Sequence, residues 1–480
     1  MNPKLRRELE RIVGPTWVLT HPAELLTYEY DATIERALPD AVVLPGSAQE
    51  VAAVVQVARR FRVPVVARGA GTGLSGGAVP YGGGIVVVTS RLNRILKIDP
   101  ENAIAVVEPG VLNLDVSRAA APYGLRFAPD PSSQKACTIG GNIAENAGGP
   151  HCLRYGTTTN HVLALEMVTA HGQLVWLGSP WGEGSGYDLV GAVVGSEGTL
   201  GIVTKAVLRL LPLPPAIVTL LAIFDTVEQA SEAVSAIIAQ GIIPAALEML
   251  DKAVMEAVEP YIHAGYPPDA GAVLLIEVEG LEEATEAEAQ AVRGLCQELG
   301  AREVRMGFTP EERERLWAGR KAALGALGRL APSYYILDGV VPRTKLPHVV
   351  RQVYEICQRY GLRVAHVLHA GDGNLHPNIL FDEREPGAVD RVLRCGADIM
   401  RACVEAGGSI TGEHGVGYEK RQFMPWLFTH HDLEVMRQLK DAFGAGDLLN
   451  PHKIFPEGEQ EIPMVPQRPA IRQAGPDSYL

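Results

Sequence analysis

The stretch Arg68–Gly69–Ala70–Gly71–Thr72–Gly73–Leu74–Ser75–Gly76–Gly77 constrains this chain more than any other, because it follows an apolar strand, Val63 to Ala67, and then fails to become a helix. Gly71, Gly73 and Gly76 form a G-x-G-x-x-G, but a Rossmann fingerprint also needs a helix opening at the glycines and an acidic residue about 20 positions on. The chain continues instead Ala78–Val79–Pro80–Tyr81–Gly82–Gly83–Gly84, and position 91 is Arg. What remains is a run of backbone N–H groups without side-chain cover, able to approach a pyrophosphate closely. A plain cluster of turns is the alternative reading of this loop taken alone.

A second stretch decides between them. Thr138–Ile139–Gly140–Gly141–Asn142–Ile143–Ala144–Glu145–Asn146–Ala147–Gly148–Gly149 mixes small residues with short polar ones, which suits contact with an extended ligand better than core packing. A third, Gly195–Ser196–Glu197–Gly198–Thr199–Leu200–Gly201–Ile202–Val203, completes the set. In this order and at these separations the three resemble the FAD-binding domain of the vanillyl-alcohol oxidase / p-cresol methylhydroxylase (PCMH) superfamily. The resemblance implies that Arg68, Gly69, Ala70, Gly71, Thr72, Gly73, Leu74 and Gly76 hold the pyrophosphate of FAD. It places Ser133, Thr138, Ile139, Gly140, Gly141, Asn142, Ala144 and Asn146 along the ribityl and isoalloxazine region. Glu197, Gly201, Ile202 and Val203 fall on the adenine side, and Pro129, Gly148, Tyr155 and Asn450 complete the cofactor contacts. His151 follows the second stretch as a point for covalent attachment, with noncovalent FAD the default.

With 480 residues the chain is long enough for two or three domains. Around the first loop the pattern is strand, helix, strand: Ser47 and Glu50 form a capping box before the amphipathic run Val51 to Phe61. Leu210–Leu211–Pro212–Leu213–Pro214–Pro215 marks the boundary, since neither a helix nor a central strand continues through those prolines. Beyond it, Val218 to Phe224, the helix Thr226 to Gln240, Ala272 to Val278 and the helix Glu282 to Leu299 build a βαβ–βαβ pattern. That pattern predicts a ferredoxin-like α+β sheet with helices on one face. The expected class is therefore α+β: a two-subdomain FAD-binding domain over 1–214, a cap domain over 215–456, and an extended tail over 457–480.

The sharpest constellation lies in the cap. In Val364 to Leu380, Asp372–Gly373 between two apolar runs signals a hairpin. With those two as the turn, His369 faces His376, and opposed side chains have Cβ atoms ~5 Å apart, close enough to share a cation. Asn378 falls on the same face, and Glu413, beside His414 in Thr411–Gly412–Glu413–His414–Gly415, can supply a third ligand. Two histidines and a carboxylate suit a divalent metal such as Zn, Mn or Fe, with positions left open for substrate. The alternative is two histidines paired across a sheet beside a solvated carboxylate.

These segments resemble the C-terminal domain of the FAD-linked 2-hydroxy-acid oxidase/dehydrogenase family. Leu316–Trp317–Ala318–Gly319–Arg320–Lys321 and Tyr334 to Arg343 bring the likeness nearest to its glycolate oxidase D-subunit branch. It implies oxidation of a small 2-hydroxy acid, glycolate or D-lactate, with His414 as base and Arg320 as the carboxylate clamp. Asn378 and Arg343 are further substrate contacts. Where 2-hydroxyglutarate dehydrogenases carry a lysine, two residues before the position of Asp338, this chain has Ile336, so a second carboxylate on the substrate is not expected. The branch implies flavin-type and iron–sulfur partner subunits, leaves homo-oligomerisation open, and keeps as alternatives a stand-alone D-lactate dehydrogenase and a non-catalytic flavin-binding subunit.

Composition excludes other classes. A net charge of −13 without a basic run argues against nucleic acid. The six cysteines include no C-x-x-C, so the chain is not expected to hold its own iron–sulfur cluster or a disulfide framework. Met1 to Thr20 lacks the apolar core of a signal peptide, and no run reaches the ~18 apolar residues of a membrane span. A cytoplasmic protein is expected, peripheral at the inner membrane face through its partners.

Overall fold

The computed structural model describes residues 1–181 and 186–457. The expected tail, apart from Glu457, lies outside the described residues.

Two sheets organise the first half. Ala41–Val43, Ile85–Val88 and Val65–Arg68 are parallel, with Val18–Leu19 antiparallel at one edge. The second sheet is antiparallel, in the order Ile95–Asp99, Ile104–Val107, Ile202–Arg209, Val162–Val168, Leu174–Gly178. Between them lies the helix Ala48–Phe61, whose N-cap Ser47 accepts from Glu50 N–H. Its Val51, Val54, Val55 and Ala58 share one core with Val43, Val65 and Ile85 of the first sheet and with Val168 and Ile202 of the second. The glycine-rich loop leaves the carboxyl end of Val65–Arg68 and no helix follows, which agrees with the sequence. Ligands gather at that end of parallel strands, where backbone N–H groups emerge without partners.

The proline-rich boundary pairs only Leu211–Pro212 with Leu125–Arg126 before the strand Ala216–Phe224 begins. In the second half, the strands Glu303–Gly307, Ala216–Phe224, Ala272–Gly280 and Ala246–Asp251 stand side by side in that order, which is the ferredoxin-like arrangement. The sheet then continues through Arg363–His369, Asn374–Phe381 and Ser333–Ile336, with Gly339–Val340 also paired to Asn374–Phe381.

Two expectations need correction. Helices cover both faces of this sheet. Leu220, Ala222 and Phe224 pack with the helices Val227–Ala239 and Glu282–Glu298, whereas Leu221 and Ile223 pack with Lys252–Ile262 and Pro310–Leu327. The strand's unbroken apolar run from Leu220 to Phe224 is the signature of two-sided burial, since a one-sided strand would alternate. The hairpin register also differs: His369 lies opposite Asn374, and His376 opposite Val367. The connection is the four-residue loop Ala370–Gly373, in which Asp372 N–H donates to His369 C=O and Gly373 N–H to Ala370 C=O. A shift of two residues leaves every side chain on its expected face, whereas a shift of one would have reversed them all. His369, His376 and Asn378 therefore still share a face.

The last segment returns to the first half. Leu448 C=O and Asn450 N–H bond to Val65, and the Asn450 side chain donates to the carbonyls of Gly77 and Glu197.

Candidate active site

One cavity of about 800 Å³ joins the two halves, which falls in the ~300–1,000 Å³ range of ligand pockets. Its wall runs from Arg68–Leu74 past Ser133, Thr138, Gly140–Asn142, Ala144 and Gly148, with Glu197 and Gly201–Val203 alongside. At the other end stand Arg320, His369, His376, Glu413 and His414. The first group is a cradle of exposed backbone. Gly71 has φ +72°, and a Cβ there would strike the Arg68 guanidinium; a Cβ on Gly69 would strike Thr138 Oγ1. A side chain at either position would have to displace Arg68 or Thr138, so the loop presents its peptide groups bare.

Thr138 and Glu197 belong to the wall, and other residues expected at the cofactor lie behind it. Thr138 caps the short helix Ile139–Glu145, whose Ile139 enters the core, while Asn146 closes it in a left-handed conformation and accepts from Thr159 N–H. Gly76 has φ +76° and bends the loop against Tyr418. Pro129 offers its carbonyl to Asn113. Tyr155 donates to Glu279, which is also paired with Arg126 across the seam between the halves. Asn450 is a buried staple, and Glu197 faces both ways, lining the cavity while accepting the N–H groups of Val416 and Gly417. His151 is gripped at both ring nitrogens, by Asp130 at 2.7 Å and Glu277 at 3.1 Å, and is not part of the cavity wall.

The histidine cluster converges as its face predicts. Glu413 Oε1 lies 3.0 Å from His369 Nε2 and 3.2 Å from His376 Nε2, and the candidate ligand atoms of the three residues all fall within 4.8 Å of one another. Each histidine is oriented from behind: His369 Nδ1 by Glu248 Oε1 at 2.6 Å, His376 Nδ1 by Leu337 C=O at 3.1 Å. Such partners hold both Nε2 atoms toward one point, as metal-binding histidines require. Burial alone would raise the Glu413 carboxyl, but His369 and His376 hold it well below its ordinary range. These donors fit a divalent transition cation. His414 stacks on His376, ring centroids 4.8 Å apart, and burial pushes its pKa down to about 4, which leaves a neutral imidazole at neutral pH.

Arg320 does reach the cavity, but Glu248 Oε2 already engages its Nε and Nη2, each at 2.7 Å. The Nη1 end of the guanidinium finds no partner among the described residues. Arg343 is exposed and donates to Gly371 C=O at the hairpin turn, so the structure does not bring it to the cavity. Asn378 is fully buried, its amide spent on the carbonyls of Ala365 and His376.

Two residues, Glu248 and Asp338, had no site role in the sequence reading. Glu248 sits in the apolar strand Ala246–Asp251, where only its charge hints at a partner. Asp338, fully buried, accepts from Thr411 Oγ1, Gly412 N–H, His414 N–H and Lys420 Nζ, and so holds the loop that carries Glu413 and His414. Burial would raise its carboxyl, yet Lys420, His414 and His376 hold it far below the usual carboxylate range. Glu145 lines the cavity near Gly73 and Gly77, and burial, with Glu197 and Asp31 nearby, raises its pKa well above normal. Among the described residues no helix is long and apolar enough to cross a membrane.

Comparison with known proteins agrees with this architecture. Residues 39–178 match the family model of an FAD binding domain, and residues 213–454 that of the FAD linked oxidases, C-terminal domain. The glycolate oxidase subunit GlcD of Escherichia coli K12 is 48% identical over 92% of this chain and 88% of its own length. A D-lactate dehydrogenase of Archaeoglobus fulgidus is 36% identical over 89% of this chain and 95% of its own. The fold is shared with p-cresol methylhydroxylase at TM-score 0.79 and 17% identity, over 94% of this chain and 96% of that one. A bare-backbone cradle opening onto a largely buried histidine–carboxylate cluster, under two successive family matches, shows that this chain belongs to the FAD-linked oxidases.

Proposed function

We propose that this chain is the catalytic flavin subunit that oxidises a small 2-hydroxy acid, glycolate or D-lactate, to the 2-oxo acid. The observation that carries this reading is the single cavity whose wall holds the glycine cradle at one end and Arg320, His369, His376, Glu413 and His414 at the other. When bound, FAD supplies a two-electron acceptor for the α-hydrogen as hydride, and a divalent cation supplies Lewis acidity to the substrate hydroxyl.

The chain's own residues do the rest. Arg320 receives the substrate carboxylate on the end of its guanidinium that Glu248 leaves free, since a planar fork has two bidentate edges. His369, His376 and Glu413 hold the cation. His414, neutral through burial, takes the hydroxyl proton. The cavity's enclosure limits water at the reacting carbon. FAD is held noncovalently: His151, the nearest histidine to the second glycine stretch, has both nitrogens engaged by Asp130 and Glu277. Electrons pass onward to partner subunits, in keeping with the name of the E. coli relative, because the six cysteines here are free and only Cys357 and Cys395 meet, at 3.7 Å, too few to hold an iron–sulfur cluster.

One observation favours D-lactate, and so a D-lactate dehydrogenase, as the second reading. Leu324, Tyr334, Ile336 and Val367 line the cavity together with Arg320 and offer an apolar surface to a methyl group. Anaerobic mixing with glycolate, D-lactate, L-lactate and D-2-hydroxyglutarate, followed at the flavin band near ~450 nm, tests both readings. Rapid bleaching by glycolate or D-lactate is expected. A protein loaded with FAD that none of the acids bleaches is a non-catalytic subunit, and the reading falls.

A further inference from the structure

We infer that Glu248 is a positioning residue that couples the carboxylate clamp to the metal cluster, so that the two subsites bind cooperatively. The inference rests on the reading of the site given above. Glu248 lies in a strand paired on both sides, between Ala272–Gly280 and Arg363–His369, and is 1% exposed. A carboxylate in that position is strongly disfavoured unless charged partners meet it. Here one oxygen accepts from His369 Nδ1 at 2.6 Å, and the other from Arg320 Nε at 2.7 Å.

The bond to His369 fixes the ring so that Nε2 faces Glu413 and His376. The bond to Arg320 fixes the guanidinium that faces the cavity. His376, by contrast, leans on a backbone carbonyl that has no second charged client. Among the described residues Glu248 is thus the one side chain bonded to both subsites. When electron density is withdrawn at His369 Nε2, its Nδ1–H becomes a stronger donor and draws the Glu248 charge toward itself. The hold on Arg320 loosens, and the guanidinium offers more of its charge to a carboxylate in the cavity. Linkage makes the effect reciprocal.

The test uses full-length, FAD-loaded protein stripped of metal with a chelator and titrated with Zn²⁺ by equilibrium dialysis. Titrations are run with and without propionate, a monocarboxylate with no hydroxyl to reach a cation. In the unaltered protein propionate should tighten zinc binding by about fivefold or more. Glu248→Gln, close in shape, should keep its FAD, weaken zinc by about 10–100-fold and largely lose the propionate effect. Its KM for the hydroxy acid should rise more than its kcat falls. Arg320→Lys keeps the positive charge but not the bond to Glu248 through Nε, and should lose the propionate effect while holding zinc normally. Unchanged zinc affinity and unchanged linkage in Glu248→Gln overturn the coupling alone, as does linkage that survives in Arg320→Lys. Failure of the unaltered protein to bind zinc overturns the metal reading and the coupling with it.

Discussion

The two ends of the cavity are built from opposite materials. At the cradle the chain removes side chains and works with peptide N–H groups, so that Gly69 and Gly71 matter for what they lack. At the cluster it gathers six charged or titratable side chains, His369, His376, Glu248 and Arg320 buried and Glu413 and His414 half-buried, and packs them against one another. A cradle tolerates loss of any one contact, because many weak donors share a ligand. A buried charge network does not, because each member left alone keeps its full desolvation cost. The cluster should therefore be brittle and the cradle forgiving.

That contrast can be broken by experiment, starting where the effect is largest. His414→Ala should lower the rate of flavin reduction by about 10²–10⁴-fold, the usual worth of a general base, with FAD content unchanged. Stopped-flow reduction beside a flavin spectrum checks it, and full activity removes His414 from the chemistry. Next, Asp338→Ala should cost about 3–5 kcal/mol in urea unfolding, because Lys420 is left buried without its partner and the Glu413–His414 loop loses its anchor.

The seam between the halves comes third. His151 is raised well above its ordinary 6.5: burial opposes this, but Asp130 and Glu277 prevail. Glu277 is lowered to about 2, again against burial, by His151, Thr219 and Trp317. A raised group stabilises fully below its unfolded value and loses that contribution as pH climbs through its native one; a lowered carboxyl stabilises above its unfolded value and loses it as pH falls through its native one. His151→Gln should therefore cost about 1.5–3 kcal/mol between roughly pH 5 and 6.5. The gap to the unaltered protein should narrow at alkaline pH and again toward pH 2; a gap independent of pH would show that the triad is not charged. Smallest is Gly71→Ala, where a left-handed residue gains a Cβ at a cost of about 1–2 kcal/mol. Isothermal titration with FAD should show roughly tenfold weaker binding, while the zinc affinity stays the same.

The same contrast explains what could be read beforehand. The cradle announced itself through glycine spacing, yet the fate of single residues within it was less legible. Ile139 and Asn146 sit on a short helix whose faces divide between core and cavity, and nothing in a run of small residues says where that helix turns. The histidine face was legible because strand parity survives a two-residue error in register. Its supports were not. Glu248 is 121 positions from His369, and Asp338 is 76 from His414, so only the completed sheet brings either pair together.

What the sequence determined by itself was local: a glycine loop without a helix, a proline boundary, a βαβ–βαβ order, and two histidines on one face of a hairpin. Each follows from backbone sterics or from a side-chain period of two, neither of which needs distant contacts. The tertiary structure alone decided which carboxylate orients which ligand, which arginine faces the cavity, and that helices cover both sides of the second sheet. Those outcomes depend on pairing buried charges and apolar faces across long stretches of chain, where the cost of an unpartnered group selects the arrangement only once the whole fold has closed.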